Sequence, residues 1–118
     1  MPGVIKNDLG KIIMSEDLIA NIAGYAAIEN YGIVGMSSKS ASDAIIQLIG
    51  GDNIKRGIKV TTIDEGNEVD IDLFVTLEYG VSLPAVAQNA IQNVRYRVSD
   101  MTGLTVRNVN IHVEAIRV

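Results

Sequence analysis

The sequence predicts an α/β protein built as a two-layer sandwich, with helices on one face of a mixed β-sheet, in the order β-α-β-α-β-β-α-β. Three observations carry this reading. Residues 68–78 alternate strictly between apolar and mostly polar side chains, the period of a half-buried strand. Three apolar stripes recur at helical spacing, each opened by a serine and closed near a glycine. Strand-like segments separate those stripes. With 118 residues, the chain fits a single domain, 1–118.

Each element has its own local cause. Gly10–Met14 reads as a short strand. Ser15 then offers an N-cap oxygen, and Glu16 and Asp17 suit the positive end of the helix dipole. Leu18, Ile19, Ile22, Ala23, Ala26 and Ala27 form the buried stripe of a first helix over about 16–30, with Gly32 just beyond its end. Ile33–Met36 is a short apolar strand. Ser40 or Ser42 caps a second helix whose stripe is Ala41, Ala44, Ile45, Leu48 and Ile49, ended by Gly50 and Gly51.

Residues 57–64 and 68–78 predict a β-hairpin, with a turn of Asp64, Glu65, Gly66 and Asn67. Val69, Ile71, Leu73, Val75 and Leu77 point to one face. Asp70, Asp72, Phe74, Thr76 and Glu78 point to the other. A third helix starts at Ser82, accepts Pro84 in its first turn, and buries Ala87, Ala90, Ile91, Val94, Val98 and Met101 before Gly103 stops it. The last strand, 104–118, has a parity conflict. Leu104 and Val106 are out of phase with Val109, Ile111 and Val113, and a bulge near Arg107–Asn108 reconciles them.

Composition restricts the chemistry. There is no cysteine, so disulfides, zinc–thiolate sites and a cysteine nucleophile are excluded. The net charge of −4 disfavours holding a phosphate backbone. Charge is uneven along the chain: residues 60–94 carry Asp64, Glu65, Glu68, Asp70, Asp72 and Glu78 without one Lys or Arg, whereas Arg95, Arg97, Arg107 and Arg117 follow. A polarised surface or a solvated strand face accounts for this pattern. No apolar run reaches the roughly 18 residues that span a bilayer, and the N-terminus lacks a secretory pattern, so the expected compartment is the cytoplasm.

No catalytic constellation is visible. His112, the lone histidine, falls on the polar parity of the last strand with Asn110 and Glu114 and has no nucleophile signature beside it. The acidic run from Asp64 lacks the ligand spacing of a calcium loop. Gly32–Gly35 has the GxxG form of a KH loop but is filled by Ile and Val, and no nucleotide-binding glycine pattern occurs. Catalytic, cofactor-binding and metal residues are therefore expected to be none. Phe74 is an aromatic among polar neighbours and shares its face with Ile63. Tyr96 lies between Arg95 and Arg97. Ile63, Phe74 and Tyr96 are the candidate interface residues.

The sequence also carries a resemblance. Gly10–Ser15, then Ile22-Ala-Gly24, Ala26-Ala27 and Tyr31-Gly-Ile-Val-Gly-Met36, resemble the opening of the alkaline shock protein family, closest to its YloU-like branch. Tyr79-Gly80, Pro84-Ala-Val-Ala87, Met101-Thr-Gly-Leu104 and Val109-Asn-Ile-His-Val113 continue the pattern in order, so the resemblance spans essentially the whole chain. It implies a small non-enzymatic bacterial protein of cell-envelope stress and homeostasis. It also implies self-association as a homo-oligomer, with any membrane proximity supplied by a membrane-anchored relative rather than by insertion. The branch's gene neighbourhood implies an alternative, an accessory role beside a fatty-acid-kinase-like protein with a dihydroxyacetone-kinase-type domain. The family has no agreed catalytic or ligand residues to carry over; its glycines read as backbone requirements, at Gly32 and Gly103 by helix ends and at Gly80 after a strand.

Overall fold

The computed structural model describes residues 1–37 and 57–118. The predicted second helix, with its Ser40 or Ser42 cap and Ala41–Ile49 stripe, lies outside the described residues. The described elements are β1 (Gly3–Asn7), β2 (Gly10–Met14), α1 (Glu16–Ile28), β3 (Ile33–Met36), β4 (Ile58–Ile63), a 3-10 turn (Asp64–Gly66), β5 (Glu68–Glu78), α2 (Leu83–Thr102) and β6 (Thr105–Arg117). Over the described residues this is the expected sandwich and element order, with one addition: β1, which pairs antiparallel with β2 as a separate hairpin. Asn7 Oδ1 closes that hairpin by accepting from the N–H groups of Leu9 and Gly10, at 2.8 and 3.1 Å.

β5 is the axis of the main sheet. One side of it carries both β4, antiparallel over 68–73, and β3, antiparallel over 75–77. The other side carries β6, parallel along its whole length. β3 and β4 thus form one interrupted edge. The chain leaves it at Ser37, whose N–H donates to the Phe74 carbonyl at 2.6 Å, and returns at Gly57. A Cβ on Gly57 would lie 2.6 Å from the Ser37 carbonyl oxygen and 2.8 Å from that of Phe74. Only glycine fits there, because all three backbones meet at one rung.

The two helices pack on each other and cover one face. Ser15 Oγ accepts from Leu18 N at 3.1 Å to start α1. The helix stops two residues before the predicted end because Asn30 Nδ2 turns back and donates to the carbonyls of Ala26 and Ala27, at 2.9 and 3.0 Å. Asn93 donates to Asn30, and Arg97 grips Glu29 with two bonds, tying α1 to α2. α2 is capped by Ser82, whose Oγ accepts from Ala85 N at 3.4 Å, and ends at Gly103 in the left-handed conformation, φ 75°.

Its buried row is Val86, Ala90, Val94, Val98 and Thr102, a strict four-residue stride. The expected stripe is corrected at its end: Met101 is 64% exposed, and Thr102 turns inward, its hydroxyl donating to the Val98 carbonyl. Under the helices lie Val69, Ile71, Leu73, Val75 and Leu77, all 0–1% exposed. Burying such side chains stabilises by about 1.5–3 kcal/mol each.

Candidate functional site

The face of the sheet opposite the helices is built by the polar parity of β5 and β6. No described element lies across it. Its order comes from register. The parallel pairing sets Asp70 beside Asn108, Asp72 beside Asn110, Phe74 beside His112 and Glu78 beside Arg117. The bulge expected near Arg107–Asn108 is present: β5 advances from Val69 to Asp70 while β6 advances from Val106 to Asn108. The additional residue keeps Val106 and Val109 both against the helices and brings two donors to one carboxylate. A second bulge, at Glu114, keeps Val113 and Ile116 on the parity of Val75 and Leu77, with Ile116 45% exposed near the end of the strand.

The contacts form a ladder. Arg107 donates to both oxygens of Asp70, at 3.2 and 2.9 Å, and Asn108 adds a third bond at 3.2 Å. The Arg107 hydrogen bonds hold the Asp70 carboxyl below its ordinary range, outweighing partial desolvation, and Asp70 in turn raises Arg107. One rung on, Asp72 Oδ1 lies 3.1 Å from both Asn110 Nδ2 and His112 Nε2. The imidazole of His112 stacks on Phe74, with centroids 4.3 Å apart and planes 9° from parallel. Ser37 and Thr76 share a hydroxyl bond of 2.7 Å, and Arg117 donates to Glu78 at 2.5 Å.

The predicted interface residues fall in three places. Phe74 sits mid-face, half-buried under His112. Ile63 is on the same face but at its far end, opposite Glu68. Six residues of β5, about 20 Å at strand rise, separate Glu68 from Phe74. Tyr96 is on the helix layer, 66% exposed, two residues from the buried Val94 and so turned away from the sheet. The structure does not bring the three together. His112 and Arg107 are the site residues that sequence reasoning missed; the signal for Arg107 was the parity break itself.

The other sequence candidates acquire definite positions. Gly32–Gly35 opens strand β3 rather than a loop, with Ile33 7% exposed. Asp70 and Asp72 are each engaged by donors, and Asp70 is lowered, the reverse of what a proton-donating carboxylic acid requires. Among the described residues, no group of three or more His, Asp or Glu is placed to hold a metal ion, and no helix is long and apolar enough to cross a membrane. The acidic block and the later arginines are not opposite poles of the molecule. Asp70 and Glu78 from the first meet Arg107 and Arg117 from the second.

The chain is similar to known proteins along nearly its full length. It is 37% identical over 115 residues to the uncharacterized protein YloU of Bacillus subtilis (strain 168), covering 97% of this chain and 94% of that one. It is 36% identical over 110 residues to the uncharacterized protein Spy1614 of Streptococcus pyogenes, covering 92% and 89%. Among solved structures, a variant of the MamM CTD matches with a TM-score of 0.50 at 14% identity, over 84% of this chain and 95% of that one, a likeness of fold alone. The model of the alkaline shock protein 23 family, described by its cell envelope-related function, matches residues 4–118. The chain therefore belongs to the alkaline shock protein 23 family, whose function is related to the cell envelope.

Proposed function

We propose that this protein is a non-enzymatic component of cell-envelope homeostasis that works by self-association and by binding partner proteins, with the open sheet face as its partner surface. One observation carries this reading: the open face holds an aromatic stack, Phe74 on His112, inside a ladder of paired charges. Side chains already held in one rotamer lose little entropy on binding, and an aromatic centre with a polar surround is the composition of a protein interface. The Asp70 carboxyl is held below its ordinary range and is engaged by Arg107 and Asn108, so it serves recognition rather than proton transfer.

The test is a crosslinked pull-down from the native bacterium, with wild type and Phe74→Asp compared. Wild type is expected to recover envelope proteins, including a membrane-anchored relative, and Phe74→Asp to lose them while keeping its far-UV spectrum. Equal recovery by both chains overturns the face assignment. Recovery of a fatty-acid-kinase-like protein alone replaces the envelope reading with the accessory-subunit one.

A further inference from the structure

Among the described residues β6 pairs only with β5, so no described strand lies along its outer side, a free edge of the sheet. It is the long edge, with 13 residues, whereas the opposite edge is split between the four residues of β3 and the six of β4. A free edge of this length is a template for another strand. Arg95 already takes the carbonyls of Val106 and Arg107, at 2.8 and 3.3 Å, so the open stretch begins at Asn108.

The side chains of β6 identify the occupant. Measured in rungs of β5, the inward residues are Val106, Val109, Ile111, Val113 and Ile116, opposite Val69, Ile71, Leu73, Val75 and Leu77. The spacing is symmetric about Ile111 because the two bulges fall on either side of it. An antiparallel copy turned about Ile111 therefore meets like with like. Ile111 faces its own copy, Val109 faces Val113, and Val106 faces Ile116, which is 45% exposed in the single chain. On the open face Asn110 meets His112. Arg107 arrives within about one rung of Glu114, and this contact occurs twice, once in each direction.

We propose that two copies of this chain join antiparallel through residues 108–114 of β6, about a two-fold axis at Ile111, making one continuous sheet with both open faces on the same side. This rests on the self-association in the proposed function and names its surface. Charge complementarity between Arg107 and Glu114 favours this register, and it is the one offset at which all five inward residues of β6 face inward residues of the copy, with the bulge residue Arg107 opposite Ala115.

The absence of cysteine from the chain makes the register testable. Directly opposed residues in antiparallel strands have Cα atoms about 4.5–5.5 Å apart, within disulfide reach. Ile111→Cys is expected to form a covalent dimer under mild oxidation, and Ile116→Cys, far from its own copy, is expected not to. Sedimentation equilibrium of the wild type is expected to show a dimer, and Glu114→Arg to weaken it by about tenfold or more through like-charge contact with Arg107. A wild type that stays monomeric at about 100 μM overturns the proposal, as does a dimer in which Ile116→Cys crosslinks and Ile111→Cys does not. Phe74→Asp is expected to sediment as wild type. Dimers that survive Phe74→Asp while partner recovery is unchanged sink the open-face reading and leave the β6 edge standing; lost recovery with a wild-type monomer does the reverse.

Discussion

The two faces of β5 share one backbone and are stabilised by different physics. The helix-facing side chains are aliphatic, closed to water and interchangeable in kind; what holds them is area removed from solvent. Asp70, Asp72, Phe74, Thr76 and Glu78 on the opposite side are each matched to a named partner on β6 or beside β3, through a guanidinium, an amide, an imidazole or a hydroxyl. The first face specifies that the strand is buried. The second specifies which strand lies next to it and in what register. The difference shows that a face with no described element across it need not be featureless: here it is ordered by its own side-chain pairs.

Neighbouring substitutions test this contrast directly. Leu73→Ala is expected to destabilise by about 2–5 kcal/mol in urea unfolding. Phe74→Ala, one residue along, removes a larger side chain but is expected to cost only about 0.5–1.5 kcal/mol, the worth of an aromatic pair at a half-open site. Equal losses would show that the face is covered and would break the comparison. Gly57→Ala sits between these values, at about 1–3 kcal/mol, because its methyl collides with the carbonyls of Ser37 and Phe74 and strains both faces at once. Backbone amide exchange along β3 and β4 should localise the damage to that rung.

The smallest effect is electrostatic. The folded-state value of the Asp70 carboxyl is depressed, so its contribution to stability is present above the unfolded carboxylate range and lost as pH falls through the folded value, below about pH 4. Acid unfolding of Asp70→Asn should lack that component of the descent, while the two proteins differ by a constant amount near neutral pH. An unchanged acid limb would show that the Arg107 pairing is incidental.

Legibility followed the range of the causes. β5 was readable to the residue because alternation over eleven positions is a local signal with one interpretation. The first bulge was readable because Val106 and Val109 cannot both face inward otherwise. The second left the same trace, as Ile116 is out of phase with Val113, but Glu114 and Ala115 between them suit a frayed polar end equally well. β1 escaped because five residues with a single turn signal do not distinguish a strand from a tail. α1 was overrun by two residues because a side chain, Asn30, supplies the stop that glycine usually supplies. The site was legible only as composition. Phe74 stood out locally, but its partner lies 38 residues downstream. A pairing of parallel strands depends on topology that no local window contains.

The two bulges have a consequence for chain length. Arg107 and Glu114 are supernumerary: removing either shortens β6 by one residue yet leaves every remaining inward side chain on its own rung. Such deletions would be silent in the core, unlike a deletion anywhere in β5, which turns the rest of that strand over. What they would change is the straightness of the border. A strand without these irregularities fits its neighbours at many offsets, and a closed pair could then give way to open-ended ribbons. In the proposed pair the two surplus residues would thus narrow the offsets at which a second copy can dock, a property of the assembled population that a single folded chain does not display.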